Sequence, residues 1–263
     1  MIPAERQRKI LFMLRSQQVV SIVELADLLD VSHMTVRRDI EKLEKQGRVN
    51  SVSGGVQLTE VLHSELSRDM KIMQFSHQKE QIGKLAVDLI TPNSTVYLDA
   101  GTTSLEVAHQ LSNRGDLVII TNDFSIATLL MAHSSHEIYH TGGKADRDNQ
   151  STVGPKVADF LLDMNIDIAF ISTSSWSLRG LSTPNENKII VKRAIAKVSK
   201  KVCLISDASK YGKIATFHAL DIEKIDLVIT DANLSDNATS DLQEKGVEVI
   251  RSEDECINLN KSN

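Results

Sequence analysis

The sequence predicts an α/β protein in two parts: a small N-terminal helical unit closed by a hairpin, then a parallel sheet covered by helices on both faces. Three observations carry this. Residues 21–29 and 32–47 read as two short capped helices separated by a two-residue turn. A glycine-marked hairpin follows at 48–58. From residue 95 onward, continuous apolar runs alternate with helical stretches, the pattern of parallel strands buried on both faces. The chain has 263 residues, enough for two such units.

Composition narrows the class. Hydrophobic residues make up 41% and charged residues 25%, which predicts a packed soluble core. No run approaches the ~18 apolar residues of a membrane span, and the N-terminus enters a charged helix with no signal-peptide pattern. Of the two cysteines, Cys203 lies in an apolar run and Cys256 in a polar tail. That argues against a disulfide framework or a zinc site, and the expected setting is a reducing cytoplasm with no membrane contact. No cofactor is expected. The net charge of −5 divides unevenly: residues 1–57 carry 9 basic and 7 acidic residues, the remainder 21 and 28. The positive excess lies on the N-terminal unit, where nucleic acid would bind. It is small, so specific binding would rely on oligomerisation to multiply phosphate contacts.

Taken in order, Arg6–Arg15 forms a first helix with Ile10, Leu11 and Leu14 inward, and Val19-Val20 an extended link. Ser21 with Glu24 three residues on resembles a capping box opening the second helix. Asp30-Val31 leaves a tight turn, and Ser32 caps the third helix, which Gly47 ends. Val36, Ile40 and Leu43 recur at i, i+4, i+7 and form its buried stripe. Met34, Thr35, Arg38, Lys42 and Lys45 take the opposite face, with Arg37 on the flank. Two helices joined this way, the second bearing paired arginines, make a helix-turn-helix whose second helix can enter a major groove. The hairpin over 48–58, turning at Gly54-Gly55, supplies the wing of a winged helix; those glycines either approach a phosphate backbone or simply make the turn. The candidate DNA-contacting residues are Ser32, His33, Met34, Thr35, Arg37, Arg38, Lys42, Gly54 and Gly55.

Residues 59–78 read as a polar, irregular linker followed by an entry helix, and Lys79–Ile90 as helical. Strands are then predicted at 95–98, 117–120, 137–140, 168–171, 202–205, 227–229 and 247–250. Helices are predicted between them at 104–111, 124–132, 157–162, 188–199 and 237–245. The predicted division is 1–58 for DNA binding, 59–78 for a linker and entry helix, and 79–263 for an α/β sensor. In parallel sheets ligands sit at the carboxyl ends of the strands, and here those ends collect Asp, Thr, Ser, Asn and Gly. Such residues suit hydroxyl and phosphate recognition, though each is also an ordinary turn residue.

These residues resemble the DeoR family of bacterial transcriptional repressors along nearly the whole chain. The resemblance rests on Val31-Ser32, Thr35-Val36-Arg37-Arg38-Asp39, Gly54-Gly55, Arg68 and Lys79. It continues through Leu98-Asp99-Ala100-Gly101-Thr102-Thr103, Thr121-Asn122, Thr141-Gly142-Gly143, Thr183-Pro184-Asn185-Glu186, Val191-Lys192-Arg193 and Asp207-Ala208-Ser209-Lys210. It implies a winged-helix domain joined to a sensor similar to ribose-5-phosphate isomerase. It also implies a homo-oligomer, dimer or tetramer, that binds double-stranded operator DNA and answers to a phosphorylated sugar or sugar-acid effector. By resemblance Asp99, Gly101, Thr102 and Thr103 line the effector pocket with Lys192 and Lys210 nearby; the other strand-end candidates are Thr121, Asn122, Gly142, Gly143 and Ser172. Two departures stand out. Ser51 and Ser53 replace the usual Arg and His of the wing. Ser172-Thr173-Ser174-Ser175-Trp176 replaces a Gly-Ala-(Asp/Asn)-Gly loop, which places Trp176 beside the pocket, either stacking on a ligand or packing under a loop. A sugar-phosphate isomerase carrying a DNA-binding domain is the alternative. It needs a carboxylate base, with Asp99, Asp123 and Glu186 as candidates, and the missing acidic loop argues for a regulator and against an enzyme.

Overall fold

The computed structural model describes residues 1–17, 19–52 and 55–253. Ser53, Gly54 and Cys256 lie outside the described residues. The N-terminal unit comprises α1 (Pro3–Ser16), β1 (Val19–Val20), α2 (Ile22–Leu29), α3 (His33–Lys45), β2 (Val49–Val52) and β3 (Gly55–Leu58). The expected caps form: Ser21 Oγ accepts from the Glu24 amide at 3.0 Å and Ser32 Oγ from the Thr35 amide at 3.3 Å. Asp30, at φ +51°, turns the chain between α2 and α3, and Gly47, at φ +68°, releases it after α3. Val36, Ile40 and Leu43 are buried with Ile10, Leu14, Leu25 and Val56 in one small core. Val19-Val20 is more than a link, because it pairs antiparallel with Val56 and Gln57 as a third strand. Gly55 is required by that pairing, since a side chain there would collide with the Val20 carbonyl.

The expected irregular linker is ordered. It contains β4 (Val61–Leu62) and α4 (Arg68–Met73), and the next helix, α5 (Ser76–Val87), begins within it and ends before Ile90. One of its polar residues is no solvated spacer. Arg68 is buried and grips Asp123 through two bonds of 2.7 and 3.2 Å, with a third to the Asn149 carbonyl at 3.1 Å.

The C-terminal unit then runs β5 (Thr95–Leu98), α6 (Thr102–Leu111), β6 (Val118–Thr121), α7 (Phe124–His133), β7 (Glu137–His140), β8 (Lys144–Asp146), β9 (Ser151–Val153), α8 (Pro155–Leu162) and β10 (Ile166–Ile171). It continues with β11 (Ser175–Ser177), β12 (Gly180–Thr183), α9 (Asn187–Val198), β13 (Ser199–Ile205), β14 (Ile214–Ala215), β15 (Phe217–Asp221), β16 (Leu227–Thr230), α10 (Asp236–Glu244) and β17 (Glu248–Arg251). Seven strands form one parallel sheet in the order β17-β16-β13-β10-β5-β6-β7. Alternate residues of each strand feed opposite cores, as the two-residue period of a strand requires. Tyr97, Val202, Leu204 and Val228 pack under α8, α9 and α10. Val96, Leu98, Cys203 and Ile205 pack under α5, α6 and α7. Strand order reverses between β5 and β10, and a crevice at such a point is where doubly wound sheets bind ligands.

Sequence reasoning missed the β8–β9 hairpin and a small antiparallel sheet, β11-β12-β15. The small sheet decides between the two alternatives for Trp176 in favour of packing. That residue lies in β11, is fully buried, and meets the Tyr211 ring edge-on at 4.8 Å. It packs in the core and is not among the residues lining the ligand cavity.

Candidate functional site

A cavity of about 250 Å³ opens at the strand-order reversal between β5 and β10, the size of a small-molecule site. The loop after β5 gives Asp99, Ala100 and Gly101, and the loop after β10 gives Ser172, Thr173 and Ser174. Asn122 enters from β6, Lys188 and Lys192 from α9, and Asp207, Ser209, Lys210 and Lys213 from the segment after β13. The ordered linker covers the mouth with Glu65, Lys71, Gln74 and Lys79.

The floor is built rigidly. Lys192 Nζ donates to Asp99 Oδ2 at 2.7 Å and to the Ser172 carbonyl at 2.6 Å, and the Ser172 amide donates to Asp99 Oδ2 at 3.2 Å. Asn122 Oδ1 accepts from the Tyr97 hydroxyl and the Ala100 amide, both at 2.9 Å. Asp123 Oδ2 accepts from the Gly101 amide at 3.2 Å. Gly101 has no room for a side chain, because Ser172 stands against it. These bonds hold the start of α6 at the cavity wall, and no side chain caps that helix. Its free amides and dipole therefore face the cavity, an arrangement that favours an anion. The Thr103 hydroxyl beside them is buried and has no hydrogen-bond partner among the described residues.

Charge points the same way. Six lysines line the cavity (71, 79, 188, 192, 210 and 213) against the four carboxylates Glu60, Glu65, Asp99 and Asp207. Glu65 serves Lys71 and Lys188 together, the latter at 2.7 Å. Burial raises its pKa, but the two ammonium groups outweigh burial and hold it at about 2. Lys210 lies 3.2 Å from Asp207 and Lys213 2.9 Å from Glu60. Lys79 is different: its Nζ donates to the backbone carbonyls of Lys71 and Gln74, the latter at 2.6 Å. Burial, with repulsion from Lys210, lowers its pKa to about 8.

Lys79 sets a pH window. A bound anion favours its ammonium form, so anion affinity should be full below pH about 8 and fall above it, by at most about tenfold per pH unit for one proton. Without ligand the sign is opposite. The folded chain holds this proton more weakly than an unfolded lysine does, so between pH about 8 and the ordinary lysine value this group adds stability as pH rises. Titration calorimetry with inorganic phosphate at pH 7 and pH 9 checks the first effect, and Lys79→Met should flatten the profile.

The structure thus brings together Asp99, Gly101, Thr102, Thr103, Asn122, Ser172, Lys192 and Lys210 of the expected effector set. Three others lie outside the lining. The Thr121 hydroxyl donates to the Leu98 carbonyl at 2.7 Å and accepts from the Asp123 amide, a purely internal role. Gly142 and Gly143 make the positive-φ turn between β7 and β8, and a side chain at Gly143 would meet Val157 at 2.8 Å. Sequence reasoning missed Lys188, Glu65, Lys71 and Lys213. Lys188 had a signal, since it precedes Lys192 by one helical turn on α9; the other three had none.

On the N-terminal unit, His33, Met34, Arg37, Arg38 and Lys42 are exposed on α3. Ser32 and Thr35 share a 3.0 Å bond at the start of that helix, so both hydroxyls are engaged in its cap. Asp39, one of the residues carrying the resemblance, is buried and holds α1 through Arg6 and Gln7.

Residues 6–61 match the DeoR-like helix-turn-helix domain and residues 74–232 match the DeoR C terminal sensor domain. The chain belongs to the DeoR family of transcriptional regulators. Among DeoR-family relatives, an uncharacterized HTH-type transcriptional regulator of Haemophilus influenzae is 53% identical over 95% of this chain and 98% of its own length. The HTH-type regulator YgbI of Escherichia coli is 47% identical over 97% and 100%, and the repressor GlcR of Bacillus subtilis 33% over 96% and 98%. Ribose 5-phosphate isomerase A of Methanocaldococcus jannaschii superposes with a TM-score of 0.39 at 17% identity, over 52% of this chain and 54% of its own. No helix among the described residues is long and apolar enough to cross a membrane.

Proposed function

We propose that this DeoR-family regulator is an operator-binding repressor of a carbohydrate-catabolism operon, controlled by a small phosphorylated sugar or sugar acid at the strand-order reversal. The observation that carries the reading is the uncapped start of α6, facing a cavity with more lysines than carboxylates. A phosphoryl group would sit on the α6 amides and the Thr103 hydroxyl, while Asn122, Ser172 and the acidic residues receive sugar hydroxyls. The expected bases of an isomerase are all otherwise placed, which favours a sensor over an enzyme. Asp99 is held by Lys192, Asp123 by Arg68, and Glu186 is exposed and outside the cavity lining.

DNA binding is assigned to the exposed face of α3, with residues 1–58 as the DNA-binding unit working in a homo-oligomer. Arg38→Ala should weaken binding to the specific site by about 1–3 kcal/mol if the guanidinium reads a base. An equal loss on random DNA would make it a phosphate contact instead. Operator sequences selected from a random duplex library, followed by anisotropy with a panel of four- to six-carbon sugar phosphates and their unphosphorylated parents, test the whole reading. Release of DNA by one phosphorylated compound supports it. Tight sequence-specific DNA binding unaffected by any compound would leave the repressor and remove the proposed effector class.

A further inference from the structure

The segment Asp207–Ala215 joins the effector cavity to the wing. At one end, Asp207, Ser209, Lys210 and Lys213 line the cavity. Between Lys210 and Lys213 the chain turns through Gly212, at φ +81°. There the Gly212 carbonyl accepts from the side-chain amide of Asn50. Asn50 lies in wing strand β2, opposite Gln57, and is buried; its amide also donates to Thr59 Oγ1 at 3.1 Å. The fit leaves no slack, since a side chain at Gly212 would lie 2.6 Å from Asn50 Cγ.

Two more contacts run from the same segment to the chain leaving the wing. The Ile214 amide donates to the Glu60 carbonyl at 2.9 Å, opening the β14–β4 pairing, and Lys213 pairs with the Glu60 carboxylate. On its inner side the Gly212 amide donates to the Trp176 carbonyl at 2.8 Å, so the turn is also tied to the β11 strand that follows the cavity loop. The segment is short and bonded at both ends, so a change at its lysines cannot be absorbed by a loose loop.

Burial, then the charges of Asp241 and Glu41, raises the pKa of Glu44 on α3; burial, then the charges of Glu244 and Glu41, raises that of Asp241 on α10. Lys45 is the nearby cation acting on Asp241. A ligand shifts such a junction only through a difference in its affinity between states.

We infer that Asn50 is the positioning residue through which anion occupancy of the cavity reaches the wing, by way of the Lys210–Lys213 turn. An anion draws Lys210 from Asp207 and competes with Glu60 for Lys213. The Gly212 carbonyl then moves with its flanking lysines, and β2 follows through the Asn50 amide. The inference rests on the anion-cavity reading above and adds its route to the DNA-binding unit.

The test is hydrogen exchange of the full-length protein with and without millimolar inorganic phosphate, in wild type, Asn50→Ala and Asn50→Ser. In wild type, phosphate should slow exchange at 101–105 and change the rate at 49–58 by at least about twofold. In both variants the protection at 101–105 should persist while the response at 49–58 disappears, a separation that general destabilisation would not produce. A wing response of equal size in a folded variant overturns the inference. So does a wild-type wing that stays silent while 101–105 is protected, which needs no variant to fold. Absence of protection at 101–105 overturns the anion cavity itself, and this route with it.

Discussion

Replacing Arg68 with methionine should destabilise the protein by about 3–5 kcal/mol, the range for breaking a buried ion pair from one side. The guanidinium is 3% exposed and the Asp123 carboxylate fully buried. Asp123 would retain only amide donors: Gly101 at 3.2 Å, and Ser125 and Ile126 at the start of α7. The consequence extends beyond stability. Arg68 fastens α4 across the cavity mouth, and Asp123 holds the Gly101 amide that sets the start of α6. Denaturant unfolding should show the loss in the midpoint, and anion affinity measured at a temperature where the variant remains folded should fall as well. A variant as stable as the parent would mean that the linker is held by something other than this pair.

Replacing Lys192 with methionine should have a comparable effect, and it acts on the floor of the cavity. Its ammonium group satisfies Asp99 and the Ser172 carbonyl together, from a side chain 6% exposed. Without it, Asp99 keeps the Ser172 amide and no cation in direct contact, a buried charge left without its partner. About 3–5 kcal/mol is expected for the single variant. The double variant Lys192→Met with Asp99→Leu should recover part of that stability, because the uncompensated charge is gone. Neither variant should bind phosphate as the parent does. Unfolding midpoints for the two singles and the double, treated as a cycle, give the coupling directly.

The sheet and the helix-turn-helix were legible because their signals are local. Apolar runs such as Leu117–Ile120 mark strands buried on both faces, and Ser21, Ser32 and Gly47 punctuate the helices. Lys192 and Asp99 were found through resemblance to a family, and no spacing rule pairs residues 93 positions apart. The linker was illegible for a related reason. Its polar sequence lacks periodicity, and its order comes from Arg68 meeting Asp123 across the fold. Sequence alone left Trp176 between ligand and core because its neighbours in sequence line the cavity; alternation along β11 turns its ring into the core toward Tyr211. Gly142 and Gly143 misled because a glycine pair reads alike in a phosphate loop and in a tight strand connection.

The most direct measurement is the melting temperature of the full-length protein against matched pairs of sugar phosphates and unphosphorylated parents, with Lys79→Met as control. A ligand that binds only the folded state raises the melting temperature in proportion to its occupancy. The account predicts a rise with a phosphorylated member and not with its parent, larger at pH 7 than at pH 9, with that pH dependence lost in the variant. Equal shifts from both members of every pair, or none across the panel at either pH, would contradict an anion-sensing cavity at the start of α6.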